Sequence, residues 1–352
     1  MVHSLVEAYG LLKSKDITVI SPRKATTKEL CLYHSRDYID FLRAAEDCHE
    51  AVDDEDDGDH GEGSYEDKLE EYGLVYDCRV FEKLRDYAEY VAGSTIQAAS
   101  VLTDDSFDVA IHWDGGRHHA MKDHASGFCY INDIVLGIMT LQKEFKRVVY
   151  IDLDVHHGDG VEKAFQYSDK VLTISLHHFA KGFFPGTGDG DRHKSPQKTK
   201  AVVNLPLQSG LTGERLFHIF ESLVDPVVAS FGPAAVVLQC GVDGLAHDPA
   251  GKWNVSIRGF GDCVKKVLSW KKPTLLLGGG GYKNTSAARC YAYLTSLVIG
   301  KNISDDIPEN PYFEQYGPEF TLHIDTSRKP DKNTDEYIKV VSDLVKQQSE
   351  SF

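Results

Sequence analysis

Arg147-Val-Val-Tyr-Ile-Asp152-Leu-Asp154-Val-His156-His157-Gly158-Asp159 joins two kinds of chemistry in one short run. Its first part is apolar, β-branched and aromatic, as in a strand covered on both faces. Its second part alternates acid and imidazole with Leu153 and Val155. Side chains two apart on an extended chain share a face, so Asp152, Asp154 and His156 point the same way where the strand ends. A solvated polar loop would not keep that alternation. Carboxylates crowded together there call for a compensating cation.

Outward from this run, Asp16–Ile20, Asp108–Trp113, Lys170–Leu176, Ala201–Leu205, Ala234–Gln239 and Pro273–Leu277 read as further strands. Between them, Phe81–Leu102, Asn132–Lys143, Glu214–Phe231, Ile257–Trp270 and Ser286–Gly300 have the spacing of amphipathic helices, as does the beginning, Met1–Tyr9. Apolar strands alternating with helices predict an α/β fold, a single domain over 1–352 with an open, mainly parallel sheet and helices on both faces. One segment stands apart: Glu46–Glu71 carries Asp53-Asp54-Glu55-Asp56-Asp57, repels itself and has little to bury, which predicts a mobile acidic insertion. Ligands of open parallel sheets bind outside the carboxyl ends of the strands, so the chemistry is sought in the residues that follow each one.

The net charge of −16 argues against direct nucleic-acid binding and suits a cationic partner such as a lysine-rich protein tail. Seven scattered cysteines without a CxxC pair indicate neither a disulfide framework nor a cysteine metal site. No apolar run approaches the roughly 18 to 20 residues that cross a bilayer, so a soluble protein with no membrane association is expected.

After the strand Ala234–Gln239 comes Gly241-Val-Asp243, and Asp243 is placed to complete a site opened by Asp154 and His156. Three protein ligands with room for water are the pattern of a catalytic metal, and oxygen with imidazole suits zinc or iron(II) alike. After Asp108–Trp113 comes Asp114-Gly-Gly-Arg117-His118-His119. Paired histidines beside an activated water can divide base and acid roles, with Asp152 and Asp159 available to orient them. After Pro273–Leu277 come four glycines and Tyr282, whose hydroxyl could donate to a carbonyl oxygen as it becomes an oxyanion.

Together these runs resemble the histone deacetylase family, class I. The matching pieces are HWDGGRHHA from His112, ASGFCYIND from Ala125, YIDLDVHHGDGVEKAF from Tyr150, FFPGTGD from Phe183, GVDGLAHDP from Gly241 and GGGGY from Gly278. The resemblance implies the arginase/deacetylase-like fold and zinc-dependent hydrolysis of N6-acetyl-lysine in histone tails or other proteins. It also implies a chromatin-regulating role in the nucleus, with presence in the cytoplasm. By it, Asp154, His156 and Asp243 bind Zn2+, His119 accepts the proton, His118 is its electrostatic partner, and Tyr282 polarises the acetyl carbonyl. Asp77 is the acidic rim residue that binds the substrate backbone, and Gly127, Phe128 and Phe184 wall a narrow tunnel. A K+ site is implied at Asp152, Ser175 and Leu176 with the backbone oxygens of Asp154 and His156.

The chain departs from the family pattern at Arg79, Arg117, Asp191–Lys200 and Ala201, and Ala201 puts a second potassium site in doubt. A buried Arg117 guanidinium is expected to contact an acidic group or departing acetate. The family's opening strand, which precedes the segment matched by Met1–Lys13, has no counterpart here, so an open place in the sheet is expected. Two other functions fit the same residues less closely: hydrolysis of acetylpolyamines or other small amides, and a catalytically weak acetyl-lysine-binding scaffold.

Overall fold

The computed structural model describes residues 1–51, 65–104, 106–190 and 200–350. Six strands form one sheet: β1 (Val109–His112), β2 (Val148–Asp152), β3 (Val171–His178), β4 (Val202–Leu207), β5 (Ala235–Gln239) and β6 (Thr274–Leu277). Their order is β1-β6-β5-β2-β3-β4, and every pairing is parallel. Each parallel connection needs a crossover; helices supply it except between β3 and β4, where none occurs among the described residues.

Strand periodicity divides the core in two. Val149, Ile151, Ile174, Val236 and Leu238 face the helices Gly213–Ile219, Asp225–Phe231 and Ile257–Ser269. Val148, Tyr150, Val171, Val237 and Leu275 face Leu84–Ser100 and Asp133–Leu141. Both faces of β2, β3 and β5 are therefore covered, which is why β2 and β5 are apolar nearly throughout, while β3 interleaves Thr173 and Ser175 with its apolar residues.

Four expectations need correction or sharpening. Asp16–Ile20 forms no strand; Val19 is 68% exposed, and three apolar residues with no neighbouring ladder cannot hold an extended chain in a sheet. The span Glu214–Phe231 is helical but not one α-helix. A π-helical turn at Phe220–Val224 precedes Pro226, whose missing N–H and ring interrupt the regular ladder. The expected acidic loop is bounded by helices, Arg36–Ala51 running into it and Tyr65–Glu71 closing it. Tyr65 donates its hydroxyl to Ala45 O at 2.8 Å and packs with Phe41 at 5.8 Å between ring centroids, so the flanks have aromatic anchors that the charge count hides. The run Asp53–Asp57 lies outside the described residues, as do residues 191–199. Finally, among the described residues the six strands are contiguous, so the sheet has no internal gap, and β1 forms one edge. No helix among them is long and apolar enough to cross a membrane.

Candidate active site

Chain order runs outward from β2 through β3 to β4, then returns with β5 and β6 on the other side of β2. The direction therefore reverses between β2 and β5, and a crevice opens at the carboxyl ends of two such diverging strands. Asp154 and His156 follow β2 there, and Asp243 follows β5.

The three side chains converge. One ligand atom from each lies within 4.8 Å of the others. His156 Nδ1 is 3.0 Å from Asp154 Oδ1 and 2.9 Å from Asp243 Oδ2. Ligand bonds of about 2.1 Å around one ion leave ligand atoms about 3 Å apart, so the spacing fits a metal. The rest of each carboxylate is already held: Asp243 Oδ1 accepts from Val155 N–H at 2.8 Å, and Asp154 Oδ2 accepts from Gly280 N–H at 2.8 Å. Asp243 Oδ2 is buried and lacks an aligned hydrogen-bond donor despite the nearby imidazole, as expected of an atom that faces a cation. Burial and the neighbouring Asp154 push the Asp243 carboxyl up to about 7. Burial opposes protonation of His156, but the hydrogen bond to Asp154 and the charges of Asp154 and Asp243 carry it up to about 10.

Two imidazole–carboxylate pairs stand beside the triad. His118 Nδ1 is 2.8 Å from Asp152 Oδ2, and His119 Nδ1 is 2.7 Å from Asp159 Oδ1. The ring centroids of the histidines are 3.9 Å apart, yet they titrate in opposite directions. Burial disfavours charge on both. At His118 the charges of Asp152 and Asp154 overcome it and raise the group to about 9. At His119 burial and the charge of His118 prevail over Asp159 and lower the group to about 4. The surroundings thus favour the charged form of His118 and the neutral form of His119. Asp152 also accepts from Tyr150 Oη at 2.6 Å.

The approach is narrow and aromatic. Phe184 meets His119 edge to face at 4.9 Å, Phe183 stacks on His156 at 5.0 Å, and Phe128 lies 6.0 Å from Tyr282, all between ring centroids. Gly127 and Phe128 both adopt left-handed backbone, with φ of 54° and 63°. A Cβ on Gly127 would come within 2.4 Å of His119 Cδ2, so the wall passes where only glycine fits. Asp77 is exposed, and its Oδ2 accepts from Gly127 N–H at 2.9 Å, which ties the rim to this wall. The Tyr282 ring is 6.5 Å from that of His156. Burial, then Asp154 and Asp243, raise its phenol far above the ordinary value and keep it protonated, so it remains a donor.

The residues proposed for potassium are partly brought together: Asp152 and Ser175 sit opposite each other on β2 and β3, with Leu176 next on β3. Arg117 differs from expectation. It forms no ion pair among the described residues; Nη2 donates to the backbone oxygen of Asp114 at 2.9 Å, while Nε is buried without a partner. Asp133, whose charge acts on Arg117, is occupied by backbone N–H groups of Gly116 and Arg117 and by the hydroxyl of Thr95.

Sequence reasoning passed over Gln239 and Asp248. Gln239 is fully buried and reaches Asp154 Oδ2 with Nε2 at 3.2 Å while accepting from Gly241 N–H at 2.7 Å. A lone amide closing an otherwise apolar strand was its signal. Asp248 accepts from the backbone of Tyr282, a long-range contact without a local sequence mark.

The histone deacetylase domain matches residues 1–298. Histone deacetylase 8 of Xenopus tropicalis is 44% identical over 346 residues, covering 98% of this chain and 90% of its own. Histone deacetylase 8 of Danio rerio is 44% identical over 346 residues, covering 98% and 88% respectively. For histone deacetylase 8 of Xenopus laevis the identity is 43% over 328 residues, covering 93% and 97%.

Proposed function

Because the chain belongs to the histone deacetylase family, we propose that its site hydrolyses the N6-acetyl-lysine amide of proteins, releasing acetate and free lysine. The observation that carries this reading is the convergence of Asp154, His156 and Asp243 at the sheet's switch point, beside the His118–His119 pair and Tyr282. We assign these three ligands to Zn2+, and K+ to Asp152, Ser175 and Leu176 with the backbone oxygens of Asp154 and His156.

A divalent metal held by the triad supplies a Lewis acid that polarises the acetyl carbonyl and acidifies water. The chain's own groups do the rest. His119, oriented by Asp159, takes a proton from the attacking water. His118, held cationic by Asp152, favours the developing negative charge. Tyr282 donates its hydroxyl to the oxyanion, and the protonated histidine side returns a proton to the leaving lysine amine. Phe128 and Phe184 flank the methylene stem and keep water from the reacting amide. Asp77 at the rim accepts from substrate backbone N–H groups, which favours a peptide over a polyamine.

Acetylated lysine-rich proteins such as histone tails are the substrates we favour, and the nucleus is the corresponding compartment. The test is a metal-supplemented assay on an acetyl-lysine peptide, an acetylpolyamine and longer acyl-lysine peptides. The acetyl-lysine peptide should be turned over with the highest kcat/KM. A preference for the acetylpolyamine would overturn the protein-substrate reading, and no turnover of any amide would leave a binding scaffold.

A further inference from the structure

Tyr282 follows a run of glycines, and its ring is poorly held. It is 43% exposed, and its ring neighbours Phe128 and His156 are 6.0 and 6.5 Å away between centroids. Its placement must come from the backbone. Upstream the loop is fixed at Gly280, whose N–H donates to Asp154 at 2.8 Å and whose oxygen accepts from Val242 N–H at 2.7 Å. Gly281 follows with φ of 144°, a conformation open chiefly to glycine. One permissive residue therefore separates the fixed Gly280 from the residue that carries the phenol.

On the far side of that residue stands Asp248, 5% exposed. Its Oδ2 accepts from Tyr282 N–H at 2.8 Å and from Lys283 N–H at 3.2 Å, and its Oδ1 accepts from Ala250 N–H at 2.9 Å. The helix Asn284–Val298 starts immediately afterwards, and its N-cap, Lys283, makes no side-chain cap. Burial raises the Asp248 carboxyl above its ordinary value, against which these backbone N–H groups and the positive end of that helix favour the accepting carboxylate.

We propose that Asp248 is a positioning residue for Tyr282, holding the peptide after the glycine run so that the hydroxyl faces the reacting carbonyl. It acts through Tyr282 and not on substrate. The proposal rests on the reading of Tyr282 as oxyanion donor. A misplacement of about 1 Å can cost on the order of 10²-fold in rate, and the cost cannot exceed that of removing the hydroxyl itself.

A double-mutant cycle in the metal-loaded full chain separates this from a general structural role. Asp248→Ala should lower kcat about 10- to 100-fold, with KM and metal content near those of the parent. In the Tyr282→Phe background the same change should cost less than about twofold. An equal cost in both backgrounds overturns the proposal while leaving Tyr282 its role; an unchanged kcat in Tyr282→Phe alone would instead overturn the oxyanion reading. Asp248→Asn retains an acceptor oxygen and should lie between Asp248→Ala and the parent. Should Asp248→Ala not fold, Asp248→Asn carries the cycle: a smaller drop that vanishes without the hydroxyl supports the proposal. No drop, or one that persists in the Tyr282→Phe background, overturns it.

Discussion

The proposed metal triad and Tyr282 face one site from elements of opposite stiffness. Asp154, His156 and Asp243 follow β2 and β5, interior strands each paired on both sides. Their carboxylates are at most 1% exposed. Tyr282 follows a glycine run, keeps 43% of its surface exposed and is anchored at a few backbone atoms. The difference is physical in origin. Charged groups that converge on one cation must be fixed against their own repulsion, which a parallel ladder does. A hydroxyl that meets an oxygen only as charge develops on it needs direction, but not a rigid strand of its own.

That comparison predicts unequal consequences. Asp243→Ala removes a ligand no neighbour can replace, and should abolish both metal retention and turnover, read by metal analysis and a deacetylase assay. Asp225→Ala serves as control. Asp225 is paired with Lys266 at 2.7 Å on the helical layer and should lose neither property. Full metal occupancy in Asp243→Ala would break the comparison at its rigid end.

At the other end, Tyr282→Phe should keep the metal and substrate affinity and lose about 10²–10³ in kcat, the usual cost of one oxyanion donor. Loss of metal in this variant would mean that the loop belongs mechanically to the triad. The close passage of Gly280, where a Cβ would lie 2.5 Å from Asp243 Oδ2, gives such an outcome a route.

The smallest effect is expected from Arg117. Its buried Nε has no partner, and an acetate ion is small and anionic enough to occupy one. Arg117→Leu should weaken acetate inhibition about tenfold, since a hydrogen bond to a charged group contributes ~1.5–3 kcal/mol. Unaltered inhibition would show that the guanidinium plays no part in product handling.

Much of this site was written in local sequence, because strand periodicity and the carboxyl-end rule both act over short stretches. The alternation of Asp152, Asp154 and His156 with Leu153 and Val155 placed the first ligands at a strand end. The histidine pair and Tyr282 followed two other strands, β1 and β6, in the same way. Composition also foretold the covered parallel sheet, since β2 and β5 carry almost nothing polar before their last residues.

Tertiary structure decided what spans the chain. Strand order set β5 beside β2, which brought Asp243 against His156 across 87 positions; no local pattern encodes that neighbour. It also decided that Asp16–Ile20 stays outside the sheet for want of a partner, and that His118 and His119, chemically identical and adjacent, have their pKa values shifted in opposite directions. Their difference comes from burial weighed against distant carboxylates, as does the hold of Asp248 on Tyr282. Propensity and periodicity are properties of neighbours in sequence, whereas electrostatic balance and orphaned polar atoms are properties of neighbours in space.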